Sequence, residues 1–304
     1  MRIKTIATLL FVALTVSGFA QFPMQGAKDK DFQELFNSKL YVPESGDAAM
    51  DKATQSALKE YWKISEFEMI PQSGLAEMIQ DESKFFLVPV EVKVETTGQA
   101  IRKNTTNYYL VLTRGGYKSI DKVKMQNWVF AFPMDIYGRE IEVSDMAYRM
   151  GPNIKMMNNA IQTIKSKDEN VSAGKSAAKF MEELYAGKST ALKDKKLLVF
   201  ESHVQPEGWK PEKFVLTPEE VIYRASATEK EIDEDYPYEF QVVDEGTIKE
   251  AIASHQSGTA VLIPVAFSNF IYLVIDTETY DCLYYGFQVS GLSTKSKSFA
   301  NIVE

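Results

Sequence analysis

The 304-residue sequence contains one cysteine, Cys282, and two histidines, His203 and His255. A lone cysteine excludes an intramolecular disulfide even in an oxidising compartment, so stability must come from a hydrophobic core. Neither histidine has a second His or Cys at a metal-like spacing such as H-x-x-x-H or C-x-x-C, and no metal set is read. Basic surplus is missing too: 42 Asp and Glu stand against 34 Lys and Arg, a formal charge of -8. An acidic chain without a basic stripe argues against nucleic acid and against an anionic membrane surface. No apolar run reaches the roughly 20 residues of a spanning helix.

What is present begins with Met1 to Ala20. Arg2 and Lys4 form a positive start, Thr5 to Val16 an apolar stretch, and Gly18-Phe19-Ala20 a small-residue cleavage site, the three parts of a secretory leader. Export to the periplasm or the medium is expected, with no transmembrane segment after its removal. No cysteine lies near the cleavage site to carry a lipid. The ending Phe19-Ala20-Gln21 resembles leaders common in Bacteroidetes. The remaining chain is long enough for two domains by the usual prior of about 100–200 residues each.

Two long apolar stretches organise the rest. Residues 84–112 and Thr259 to Ile275 each read as two β-branched and aromatic strands that turn back on one another, with Pro89 and Pro264 inside the first strand. Ahead of 84–112 lie a strand at Lys39 to Pro43 and an amphipathic helix over 48–62. A strand at Glu66 to Ile70 and a short helix from Leu75 to Ile79 follow. The helix over 48–62 carries Met50, Ala53, Ala57, Tyr61 and Trp62 at helical spacing. Asn127 to Phe132 adds an aromatic strand. The pattern then restarts. Lys196 to Ser202 matches Lys39 to Ser45 at five of seven positions, Glu239-Phe240 matches Glu66-Phe67, Ile248 to Ile252 follows Leu75 to Ile79, and Leu262 to Val265 matches Leu87 to Val90. One duplicated unit explains four matches in the same order, with an insertion in the second copy between Val204 and Pro218.

The fold class expected is α+β: two duplicated β-α-β-α-β-β units with mixed sheets, covered by helices on one face and joined by a helical segment. The boundaries are 1–20 for the signal peptide, 21–37 for a lead-in, 38–140 for the first unit, 141–190 for the helical connector and 191–304 for the second unit. In the connector, Gly151-Pro152 should kink or split a helix over 143–166, because proline lacks an N–H and clashes one turn back. Prolines 89 and 264 fit an edge or a bulge and not a central ladder position.

Chemistry is thin. Gly174-Lys175-Ser176 could close a phosphate loop, but Glu169 stands where a glycine is required. The acidic run Glu229 to Glu239 lacks the glycine and distal glutamate of a calcium loop and reads as a solvated helix end. Met146, Met150, Met156 and Met157 at helical spacing read as core filler and not as copper ligands. His203 and His255 read as surface or interface histidines, with no G-x-S-x-G elbow nearby. Aromatics are in surplus, and Tyr108, Trp128, Tyr272 and Tyr284 are the candidate binding residues, on a peptide or glycan platform. The other reading buries these rings against helices and the sister unit. No catalytic residue and no cofactor is assigned.

The order of elements in LYVPESGDAAMDKATQSALKEYWKISEFEMI and FFLVPV, with LLVFES, EFQVVDEGTIKEAI and VLIPV as counterparts, resembles the small α/β domain of TolB and of CsgG-like envelope proteins. That resemblance implies non-catalytic binding or assembly with a protein or another envelope component. It does not extend to the helices of 143–187, and neither a propeller nor pore-forming strands are read. Two functional readings stay open: an exported non-enzymatic binding or envelope-assembly protein, and a secreted hydrolase with a site between the units that uses His203 or His255. Oligomeric state is open.

Overall fold

The computed structural model describes residues 11–14, 29–98, 101–134, 143–167, 175–210, 226–266, 270–288 and 296–303. Strand β1 (Phe11–Leu14) and helix α1 (Asp29–Leu35) precede the first unit. That unit comprises β2 (Leu40–Pro43), α2 (Ala48–Tyr61), β3 (Phe67–Ile70), α3 (Gln72–Met78), β4 (Phe85–Gly98), β5 (Ile101–Arg114) and β6 (Trp128–Pro133). The connector holds a 3-10 segment (Val143–Arg149), α4 (Met150–Lys167) and α5 (Lys175–Tyr185). The second unit comprises β7 (Lys196–Phe200), α6 (Glu229–Asp235), β8 (Phe240–Val243), α7 (Glu245–Ala253), β9 (Thr259–Ala266), β10 (Phe270–Asp276) and β11 (Cys282–Gln288), followed by α8 (Ser296–Val303).

The duplication is visible in the ladders. Sheet order is β3-β2-β4-β5-β6 in the first unit and β8-β7-β9-β10-β11 in the second, parallel across the first three strands and antiparallel across the last three. Leu40 pairs with Phe67 and Phe85 as Leu197 pairs with Phe240 and Ala260. This register carries Pro89 onto Pro264, as the sequence matches require. Both prolines lie beyond the point where the parallel neighbour ends, at Phe86 and at Leu262. A residue without an N–H is tolerated there because no ladder bond is asked of it on that side. The register also slips once in each copy, between Leu112 and Thr113 and between Val274 and Ile275. Those points are equivalent, so the same irregularity is built twice, and Trp128 stands where Cys282 stands.

Local chemistry sets the helix boundaries. Asp47 accepts from Met50 N at 2.8 Å to start α2, and Asp244 accepts from Thr247 N at 2.7 Å to start α7. Thr228 and Glu231 form a reciprocal capping box on α6, so the acidic run is the solvated helix its composition indicates. Pro152 falls in the first turn of α4, where its missing N–H costs nothing, and the 3-10 segment ahead of it takes the break.

Period two then decides the layers of the second unit. Leu198, Phe200, Val261, Ile263, Leu273 and Ile275 face the first unit and join its core. Leu197, Val199, Ala260, Leu262, Tyr272 and Val274 face the other way, under α6 and α8. The sheet is therefore covered on both faces, not on one as the sequence suggested. The first face shares a continuous core with Leu40, Phe85, Trp62 and Ile154, which welds the two units and the connector together. Met146, Met150, Met156 and Met157 are all buried in that core. Among the described residues no helix is long and apolar enough to cross a membrane.

Cys282 is buried, and burial pushes its thiol far above its ordinary range. A thiolate is the reactive form, so native protein should label with a thiol reagent at neutral pH only as fast as it unfolds. Labelling as fast as a free peptide thiol would show that this strand opens.

Candidate functional site

The expected aromatic platform is not on the surface. Tyr108, Trp128 and Tyr272 are buried, and Tyr284 is half-buried. Trp128 packs against Tyr109 with ring centroids 5.6 Å apart, and the Tyr272 hydroxyl accepts from Ser298 of α8 at 2.8 Å. Sheets covered on both faces absorb aromatics from both faces, which is why these four serve the core. His203, read as a surface or interface histidine, is buried, edge-on to Phe200. Lys175 and Ser176 open α5, the described element before them is the helix α4, and Glu169 and Gly174 lie outside the described residues.

What the fold does bring together is a cleft of about 550 Å3 between the units. Helix α2 supplies one wall through Ala49, Lys52, Ala53, Ser56, Glu60 and Tyr61. The 3-10 segment supplies Asp145 and Tyr148, and Gly151 follows at the start of α4. Lys249, Ala253 and His255 come from α7 and its end, and Tyr280 from the turn between β10 and β11. The wall on α2 exists because that helix buries Met50, Thr54, Ala57 and Leu58 and turns its next ridge outward. Thr54 can sit inside because its hydroxyl donates to Met50 O at 2.7 Å.

His255 and Tyr280 form the most constrained part of this cleft. They are the two non-glycine residues with positive φ among the described residues, at 52° and 61°. His255 occupies the left-handed position just after α7, where its N–H bonds Ile252 O at 3.2 Å and Gln256 N–H bonds Ala251 O at 3.0 Å. This is the helix-ending motif in which glycine is the usual residue. Tyr280 ends its turn the same way, with its N–H on Asp276 O at 2.9 Å. Their rings stack at 4.4 Å. The Tyr280 hydroxyl donates to Ile252 O at 2.8 Å, and His255 Nδ1 meets Glu278 O at 2.8 Å. A carbonyl only accepts, so Nδ1 carries the proton in this contact and Nε2 is left to face outward.

Charges in the cleft are partly matched. Lys249 donates to Asp145 at 2.8 Å and lies 3.4 Å from Glu245. Burial works against its ammonium, but the bond to Asp145 and both acidic charges outweigh it and raise the pKa. At the edge, Lys155 pairs with Asp281 at 2.9 Å and lies over the Tyr61 ring. Burial opposes the charge on Asp281, yet Lys155 holds it below its usual value. Burial raises Tyr280 to about 12, with the Glu60 charge adding to it. Burial likewise drives Tyr109, Tyr185 and Tyr285 upward.

These shifts predict a loss of stability in alkali. A phenol whose folded pKa is raised binds its proton more tightly when folded. Its contribution is therefore complete below about pH 10 and falls as pH rises toward about 12. Tyrosinate absorbance from the buried rings should rise together with loss of the far-UV circular dichroism. Full ionisation of the tyrosines in a chain that stays folded would refute the assignment.

His255 thus sits in a cleft with hydroxyls at Ser56 and Ser144, but its hydrogen bond goes to a backbone carbonyl. Among the described residues no hydrogen bond joins it to a Ser, Asp or Glu side chain. Two other hollows are polar: one is lined by Lys193, Lys195 and Lys196, of which Lys195 pairs with Asp276 and Lys196 with Glu239, the other by Arg114, which pairs with Asp31. No group of three or more His, Cys, Asp or Glu that could hold a metal occurs among the described residues. No family model, curated protein or solved structure matches the chain.

Proposed function

We propose that this is an exported, non-enzymatic protein that binds a small ligand in the cleft between its two α/β units. The observation that carries the reading is the cleft itself: an apolar floor of small residues, aromatic rings and a few convergent polar groups at the junction of two units. Junctions of this kind are the usual location of small-molecule sites. Export rests on Met1 to Ala20, and the mature chain is then expected to begin at Gln21. Its removal also takes away β1, which pairs with Glu91 to Val94, and leaves five strands in the first sheet. The pattern shared with TolB and CsgG-like domains agrees with binding or assembly work in the envelope.

The test compares wild type with Ala53→Trp, which fills the cleft from α2. Peptides, sugars and nucleotides are screened by thermal shift on both proteins. A ligand that raises the melting temperature of wild type and not of the variant supports the reading. No hit in any class, or hits that ignore the substitution, would sink it. Turnover of a hit would move the protein to the hydrolase reading, with His255 as the first residue to examine.

A further inference from the structure

We infer that the ligand is a short peptide of about three to four residues with free ends and an aromatic side chain; this rests on the cleft being the binding site. Three observations converge on it. The first is charge placement along α2. Lys52 and Glu60 both line the cleft without an ion pair among the described residues, whereas Lys249 is held by Asp145 and Glu245; Glu60 accepts a hydrogen bond from Tyr61 and keeps further lone pairs for an ammonium. Eight residues separate them, which on a helix is about 12 Å, and an extended chain covers that in about three to four residues. The second is polarity. Lys52 lies near the N-terminus of α2 and Glu60 near its C-terminus, but Asp51 in the first turn and Lys59 in the last counter the helix dipole there, so the direction rests on the two side chains themselves. A carboxylate belongs at the Lys52 end and an ammonium at the Glu60 end.

The third observation is the ring. His255 is exposed on the cleft, yet stacking on Tyr280 and the bond to Glu278 O fix its plane. Both rings are held from positions where glycine is the easy residue. One face of the imidazole is taken by Tyr280, and the other is open to stack on an aromatic side chain. Ala49 and Ala53 on the facing wall let a peptide backbone approach α2 closely. A sugar would use the rings but not the pair of opposite charges at that separation.

The experiment uses the mature chain and the tetrapeptide Ala-Ala-Tyr-Ala, read by calorimetry. The free-ended peptide should bind, and N-acetylation or C-amidation should each weaken binding about threefold to tenfold. Lys52→Gln should abolish the penalty of amidation and keep that of acetylation, and Glu60→Gln should do the reverse. Both substitutions are on the exposed side of α2, so folding is not at stake. His255→Gly should leave the melting temperature nearly unchanged, because glycine suits the left-handed position. It should also remove the preference for Tyr over Ala in the peptide. Blocked and free peptides binding alike, or penalties that ignore the two substitutions, would overturn the proposal. If a disaccharide or nucleotide occupies the cleft and no peptide does, the binding reading stands and the peptide falls. If nothing is displaced or blocked by Ala53→Trp, both fall.

Discussion

Trp62→Ala is expected to lower the unfolding free energy by about 3–5 kcal/mol, and Tyr61→Ala by clearly less. The two residues are adjacent at the end of α2, but the helix turns them to different surroundings. Trp62 closes the helix, with its N–H on Leu58 O, and is 4 % exposed. It belongs to the core that runs from β2 and β4 to α4, and Lys63 N bonds Asn158 of α4 at 2.8 Å just beyond it. Removing an indole from a core shared by three layers leaves a cavity that none of them can close alone. Tyr61 is half-buried on the cleft, where solvent or ligand can fill the space its ring leaves. Chemical denaturation of both variants separates them. Equal losses would mean that the phase of α2 is not as described.

That phase shows where sequence reading stops. Met50, Ala57 and Trp62 are buried as their spacing indicates, and Tyr61 is more exposed than Trp62 beside it as expected, but Ala53, read as inward, is only half-buried on the cleft. Alanine and tyrosine tolerate either environment, so they cannot fix a helix's rotation by themselves. Thr54 is buried because it bonds its own backbone, which a polarity count does not reveal. The duplication was legible for the opposite reason. Leu40, Phe67, Phe85 and Pro89 sit at register points of a ladder, and a slip of one residue would turn every side chain to the wrong face. Their counterparts Leu197, Phe240, Ala260 and Pro264 are held by the same constraint. The cleft had no such signature. Tyr61, Tyr148, His255 and Tyr280 come from four elements, and only the packing of α2 against the connector and α7 brings them together. The one local trace is His255 after the last turn of α7, where the chain needs a left-handed residue and glycine comes only at 258.

Gly115→Ala should cost about 3 kcal/mol or more, near the top of what one added methyl does to a packed site. A Cβ at this position would overlap Asp81 O and lie 3.0 Å from Ile79 O. Both are backbone atoms, so no side chain can swing aside. Gly115 N also bonds Lys84 O at 2.9 Å, and Gly116 N bonds Ile79 O at 2.8 Å, which ties the end of β5 to the turn after α3. Gly46→Ala is the control. Gly46 has φ +80° but nothing within 4 Å of its Cβ position, so only the left-handed strain remains, about 1–2 kcal/mol. Denaturation midpoints should rank Gly115→Ala well below Gly46→Ala, and equal midpoints would show that the α3 turn yields easily. The comparison also reaches the cleft. Ile79 corresponds to Ile252 in the second unit, and the carbonyl that takes Gly116 N–H in one copy takes the Tyr280 hydroxyl in the other. The first unit spends this acceptor on a tight backbone turn, while the second uses it to hold a ring over the cleft. Gly115→Ala should therefore destabilise the chain while the molecules still folded keep their cleft, whereas Tyr280→Ala should disturb the His255 ring at much smaller cost to the first unit.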